Sequence, residues 1–177
     1  MKTRCALFAA IAVCLSVLPA AADPTALAPQ LEPLRPWLGK TWKSEPAAQT
    51  DKPKIDIARW ERALNGHAVR ILHSINDGEY GGETIVMWDE EKKSVVYHYF
   101  TTAGFATAGT MTFENGKVLT NEKVSGNAGG VTEVSGTSEF ASDGSFRVKT
   151  EYLKSGKWQP GREATYREDA AAAVIFK

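Results

Sequence analysis

The sequence predicts an all-β protein: an antiparallel up-and-down β-barrel of about ten strands with a short N-terminal capping helix. Turn signals recur at short intervals: Asn65-Gly66, NDGEYGG from 76, DEEKK from 89, Asn115-Gly116, GNAGG from 126, SDG from 142 and SGK from 155. Between them apolar and polar residues alternate, which is the period of a half-buried strand. No long helical pattern interrupts the series. A sheet of this length that closes on itself removes its exposed edges. It also encloses more volume than a small barrel filled by side chains, which predicts an internal cavity.

The elements follow in chain order. Residues 1–22 read as a secretory signal peptide: Lys2 and Arg4 lead an apolar run, and Ala20-Ala21-Ala22 offer a small-residue cleavage site before Asp23. The run is shorter than the ~20 residues of a spanning helix, so no stable membrane anchor is expected. The reading places the protein in the periplasm or outside the cell. Residues 23–30, rich in Pro and Ala, read as a flexible leader. The barrel domain covers 31–168 and opens with the helix, whose Leu31, Leu34, Trp37 and Leu38 share one face. Gly39 stops it, and Pro33 and Pro36 keep it short and imperfect. Strands are expected over roughly 41–46, 55–64, 67–75, 83–89, 94–101, 105–114, 117–125, 131–140, 145–153 and 160–168. The tail 169–177 is open between a frayed helix, a last strand and disorder.

Composition narrows the chemistry. Both cysteines, Cys5 and Cys14, lie in the signal, so the mature chain has no disulfide, zinc-thiolate or cysteine nucleophile. Without Lys2 and Arg4 the balance is 19 basic to 21 acidic residues, with no basic patch, which argues against nucleic acid as a partner. There is no Gly-X-Ser-X-Gly elbow and no phosphate-binding glycine loop. His67 and His73 are six residues apart on one strand, about 20 Å, and cannot share a metal. No metal and no cofactor is called for by these residues.

The Asn65-Gly66 turn fixes a register. It opposes Arg62 with Val69, Trp60 with Ile71, Ala58 with His73 and Asp56 with Ile75. This face also carries Leu64 and His67 and is the more apolar of the two, so it is assigned to the interior. Asp56, Arg62, His67 and His73 then sit among apolar neighbours. A solid core would not accept them, whereas a wet cavity or a rim would. A second hairpin opposes Met87 with Val96, Ile85 with His98 and Glu83 with Phe100, which directs His98 inward. Met111 and Phe113 share a face with Val118 and Thr120, and Phe146, Val148, Thr150 and Tyr152 share another.

The order of WLGKTW, ARWERALNGHAVRILHS, YGGETIVMWDEEKKSVVYHYFTT, GTMTFENGKVLT and ATYRE resembles calycin-like, lipocalin-type β-barrels, closest to a little-characterised bacterial secreted group. The resemblance spans about 31–168. Gly39-Lys40-Thr41-Trp42 is one residue longer than the lipocalin Gly-X-Trp. The resemblance implies that Arg167 packs over Trp42 as a cation–π closure, and that the barrel holds a pocket for a small hydrophobic or amphipathic molecule. Related barrels bind haem through a histidine near the chain end; here no histidine follows His98.

The expected function is ligand binding in the barrel interior. Trp60, Ile71, Met87, Met111, Phe113 and Tyr152 would receive the apolar body, and Arg62, His73 and His98 the polar or anionic head. Two other readings remain open: a lipocalin-fold enzyme using an inward histidine as general base, and a structural or partner-binding envelope protein.

Overall fold

The computed structural model describes residues 25–46 and 54–177; the stretch read as a signal peptide lies outside the described residues. Ten antiparallel strands form one closed barrel. They are β1 (Thr41–Ser44), β2 (Asp56–Ala63), β3 (Ala68–Ile75), β4 (Tyr80–Asp89), β5 (Ser94–Thr101), β6 (Ala106–Glu114), β7 (Lys117–Ser125), β8 (Val131–Phe140), β9 (Phe146–Lys154) and β10 (Lys157–Glu168). Each strand pairs with the next, and β1 pairs with both β2 and β10 to close the ring.

The helix Pro29–Trp37 is 3-10 rather than α, in keeping with Pro33 and Pro36 inside it. It plugs the lower end of the barrel. Leu31 and Leu34 are fully buried, and Trp37 stacks on Trp60 with centroids 5.5 Å apart. Phe140, Phe146 and Trp42 complete an aromatic cluster, and the Trp42 indole N–H donates to the Trp37 carbonyl at 3.2 Å. Each such buried side chain contributes roughly 1.5–3 kcal/mol. Residues 25–28, within the stretch read as leader, lie against the same end. Leu27 is buried, and the Ala28 N–H donates to the Gly66 carbonyl at 2.9 Å.

The β2–β3 register is the one that Asn65-Gly66 predicts, from Asp56 opposite Ile75 to Ala63 opposite Ala68. Leu64, expected on the interior face, is instead 67 % exposed. It takes a positive φ of 46° ahead of Asn65 and Gly66, so three successive left-handed residues lift it off the ladder. The β4–β5 register also matches. The tail after Glu168 is neither helix nor strand. Its Ile175 N–H donates to Ser74 Oγ at 3.0 Å, on the outside of β3, which helps to explain why Ser74 is buried.

Candidate functional site

Above the aromatic plug the barrel interior turns polar. Asp56, first residue of β2, is 3 % exposed. Its Oδ1 lies 3.0 Å from His73 Nδ1 on β3, and its Oδ2 accepts from the Tyr166 hydroxyl at 2.7 Å and from the Arg162 guanidinium, both on β10. Burial pushes the Asp56 carboxyl up; His73, Arg162 and Tyr166 outweigh it and hold it down to about 2. Burial likewise raises the Tyr166 phenol.

The cluster extends as a chain. His73 Nε2 meets the Tyr99 hydroxyl at 2.7 Å, and Tyr99 meets the Tyr80 hydroxyl at 2.7 Å. Two glycines make these contacts possible. The cross-strand partner of His73 is Gly82, and any Cβ there would run into the Tyr99 ring and the Phe100 carbonyl. Its absence lets Tyr99 reach across β4 to the imidazole. On β10 the pairing with β9 shifts between Pro160 and Glu163, so Gly161 and Arg162 together face Thr150. The Thr150 hydroxyl accepts from the Arg162 N–H at 2.7 Å and donates to its carbonyl at 3.2 Å, satisfying backbone groups that the bulge frees. A side chain at 161 would meet Thr150 and the Tyr152 ring.

A cavity of about 820 Å³ opens at this upper end. Tyr80, Tyr152, Arg162 and Ile75 line its depth, with Glu45, Lys54, Glu79 and Glu163 among the residues nearer the mouth. A second polar group lies further round the interior. Glu122 on β7 accepts from Thr107 and from the Tyr97 hydroxyl, and burial raises its carboxyl.

The residues expected at the site are divided by the fold. His73 and Tyr152 belong to the polar half. Trp60, Ile71, Met111 and Phe113 pack in or against the solid core instead. Arg62 is turned to the lower rim, where its Nε–H donates to the Ala26 carbonyl at 2.6 Å. Met87 and His98 are corrections: both face outward, Met87 42 % exposed and His98 against exposed Phe100. The β4–β5 turn fixes which residues are opposite, but both faces of that hairpin are apolar, and Val86, Trp88, Val95 and Tyr97 hold the inner one. Arg167 does not cover Trp42. It pairs with Glu45 and Asp143 outside the barrel, while Lys40 Nζ lies 5.3 Å from the Trp42 ring.

The sequence points Asp56 inward; Tyr80, Tyr99, Glu122 and Arg162 join the site only in the structure. Alternation back from buried Tyr166 through Ala164 reaches Arg162, a signal present in the sequence. Among the described residues no group of three or more His, Asp or Glu side chains is placed to hold a metal ion. An interior haem does not fit either. Both ring nitrogens of His73 are engaged, and His67 and His98 are exposed.

No family model and no curated protein sequence matches the chain. Among solved structures, Rv2717c from M. tuberculosis superposes with a TM-score of 0.60 over 81 % of this chain and 99 % of its own, at 14 % identity. The likeness is one of fold. The superposition takes in nearly all of Rv2717c, so the fold of this chain has a counterpart among known structures.

Proposed function

We propose that the protein is a calycin-like, lipocalin-type binding barrel, secreted or periplasmic, that takes one small amphipathic molecule through its upper end. The observation that carries this reading is the division of the interior. The lower half is dry and filled, and the upper half keeps about 820 Å³ of space against a buried polar cluster. A barrel that served only as a scaffold has no use for a buried Asp, His and Arg beside open volume. The ligand's apolar part would rest on Ile75, Tyr80 and Tyr152, and its polar end would meet the hydroxyls.

Native mass spectrometry of protein purified from its own compartment tests the reading. A co-purifying small molecule is expected, retained by the wild type and reduced at least several-fold in Tyr152→Ala. Ligand-free protein, together with a melting temperature unmoved across a ligand library, overturns it.

A second reading is favoured by one contact. A histidine hydrogen-bonded to a carboxylate is the arrangement of a general base with its orienting acid. Here the outer nitrogen of that histidine is held by Tyr99, so proton transfer to a ligand would pass through Tyr99 and Tyr80. Turnover of any bound molecule that disappears in Tyr80→Phe while binding persists would decide for catalysis.

A further inference from the structure

The hydrogen-bond chain has a direction, and the direction selects a ligand. Asp56 is an acceptor three times over: Tyr166, Arg162 and His73 all point donors at it. His73 Nδ1 therefore carries a hydrogen. In the tautomer that leaves Nε2 bare, Nε2 accepts and the Tyr99 hydroxyl donates to it. Tyr99 has given its only hydrogen, so Tyr80 donates to Tyr99. What remains on Tyr80, at the cavity wall, is a pair of oxygen lone pairs and no hydrogen to offer.

Charge points the same way. In this half the described interior holds the carboxyls of Asp56 and Glu122 and the guanidinium of Arg162, beside the His73 imidazole. Arg162 is committed to Asp56 and lies 5.5 Å from the Tyr166 ring. No cation pairs with Glu122 among the described residues; its partners are the hydroxyls of Thr107 and Tyr97. Glu122 sits on the same rung as Tyr97 and Tyr152, through Gly109 and Val134, and so faces the same barrel interior as Tyr152, two strands from the cavity wall that Tyr152 forms. The mouth adds Glu45, Glu79 and Glu163 against Lys54. Glu45 pairs with Arg167 outside; among the described residues Glu79 is met by the Asn76 amide. The path from mouth to depth is acidic, and low-dielectric walls focus such a field on cations.

We propose that the cavity takes an organic ammonium: a ligand whose buried end is a hydrogen-bond-donating cation, held by Tyr80 Oη with Glu122 as its counter-charge and tyrosine rings around it. Tyr80 and Tyr152 line the cavity and supply π faces to it, which suits a cation and an alkyl stem alike. This departs from the anionic head that the sequence predicts: of the three residues given that task, Arg62 and His98 are not in the cavity, both ring nitrogens of His73 are engaged by Asp56 and Tyr99, and Arg162 is already paired. The inference rests on the binding reading above and names the ligand class for that cavity.

The test uses three probes of equal chain length, n-hexylammonium, 1-hexanol and hexanoate, titrated into the mature protein at neutral pH by calorimetry and by NMR. Hexylammonium is expected to bind at least tenfold tighter than hexanoate. Tyr80→Phe, which keeps the ring, should weaken hexylammonium about tenfold, since a charge-assisted hydrogen bond is lost. Glu122→Gln, which keeps an acceptor for Thr107, should remove the advantage of hexylammonium over hexanol and leave hexanol binding unchanged. Should Tyr80→Phe fail to fold, Glu122→Gln alone decides. Hexanoate binding as tightly as hexylammonium, or hexylammonium indifferent to Glu122→Gln, overturns the ammonium proposal while leaving the binding reading intact. If none of the three binds, the proposal falls, and native mass spectrometry separately judges the binding reading.

Discussion

Asp56 accepts hydrogen bonds from side chains on two strands, and its removal would leave Arg162 and His73 facing each other in the barrel interior. Breaking a buried pair from one side costs about 3–5 kcal/mol, because the remaining charge is uncompensated. Asp56→Asn is expected to lose stability of that order in urea denaturation. The same carboxyl sets an acid limit. Its folded value, about 2, lies below the unfolded value near 3.9, so its contribution is complete above about pH 4 and drains away as pH falls toward 2. Thermal melts between pH 5 and 2 should show a steeper loss in wild type than in Asp56→Asn. Asp56 and His73 were legible as inward residues because one turn type fixes one register. Arg162 and Tyr99 were not linked to them because the contact joins positions 106 apart in one case and 26 in the other, and no local pattern encodes it.

Strands and the helix carry the next set of expectations. The helix has two prolines inside and no side-chain N-cap, so the burial of Leu31, Leu34 and Trp37 carries much of its hold on the barrel. Leu34→Ala should therefore cost about 2–5 kcal/mol, read by chemical denaturation, as a cavity opens under the plug. On β4, Gly82→Ala forces a methyl against Tyr99 and the β5 backbone. Overpacking of this kind costs about 1–3 kcal/mol. The displaced Tyr99 should also release His73, visible as a changed imidazole NMR signal that a merely destabilised barrel would not give. Alternation and turn chemistry made most strands and registers readable. The inner face of β4–β5 was not, because Ile85, Met87 and Val96 compete with Val86, Trp88, Val95 and Tyr97 on hydrophobicity alone. Closure of the ring decides between them.

Across the whole molecule two carboxyls bend the stability curve in opposite senses. Asp56 loses its contribution as pH falls below about 4. Glu122 is raised by burial, so the folded state binds its proton more readily than the unfolded chain does. Stability from that source is fully present below about pH 4.3 and declines as pH rises through the folded value. Glu122→Gln should flatten this decline, with a melting temperature that gains on wild type between pH 4 and 8. Such a gain identifies Glu122 as a group kept at a cost in the empty barrel, which an ammonium ligand would offset. Which end was plugged and which hollow was not legible in the sequence, since both halves alternate in the same way and only the placement of the helix under Trp60 separates them.

The tail's path along the outside of β3 has a practical consequence. Ile175 and Lys177 reach the Asn76–Gly78 turn, beside the mouth residues Ile75, Glu79 and Tyr80, whereas residues 25–28 sit at the opposite pole. The two ends of the described chain thus mark entrance and floor. An environment-sensitive dye attached after Lys177 would stand at the doorway and report arrivals, while a dye near residue 25 would serve as its silent control.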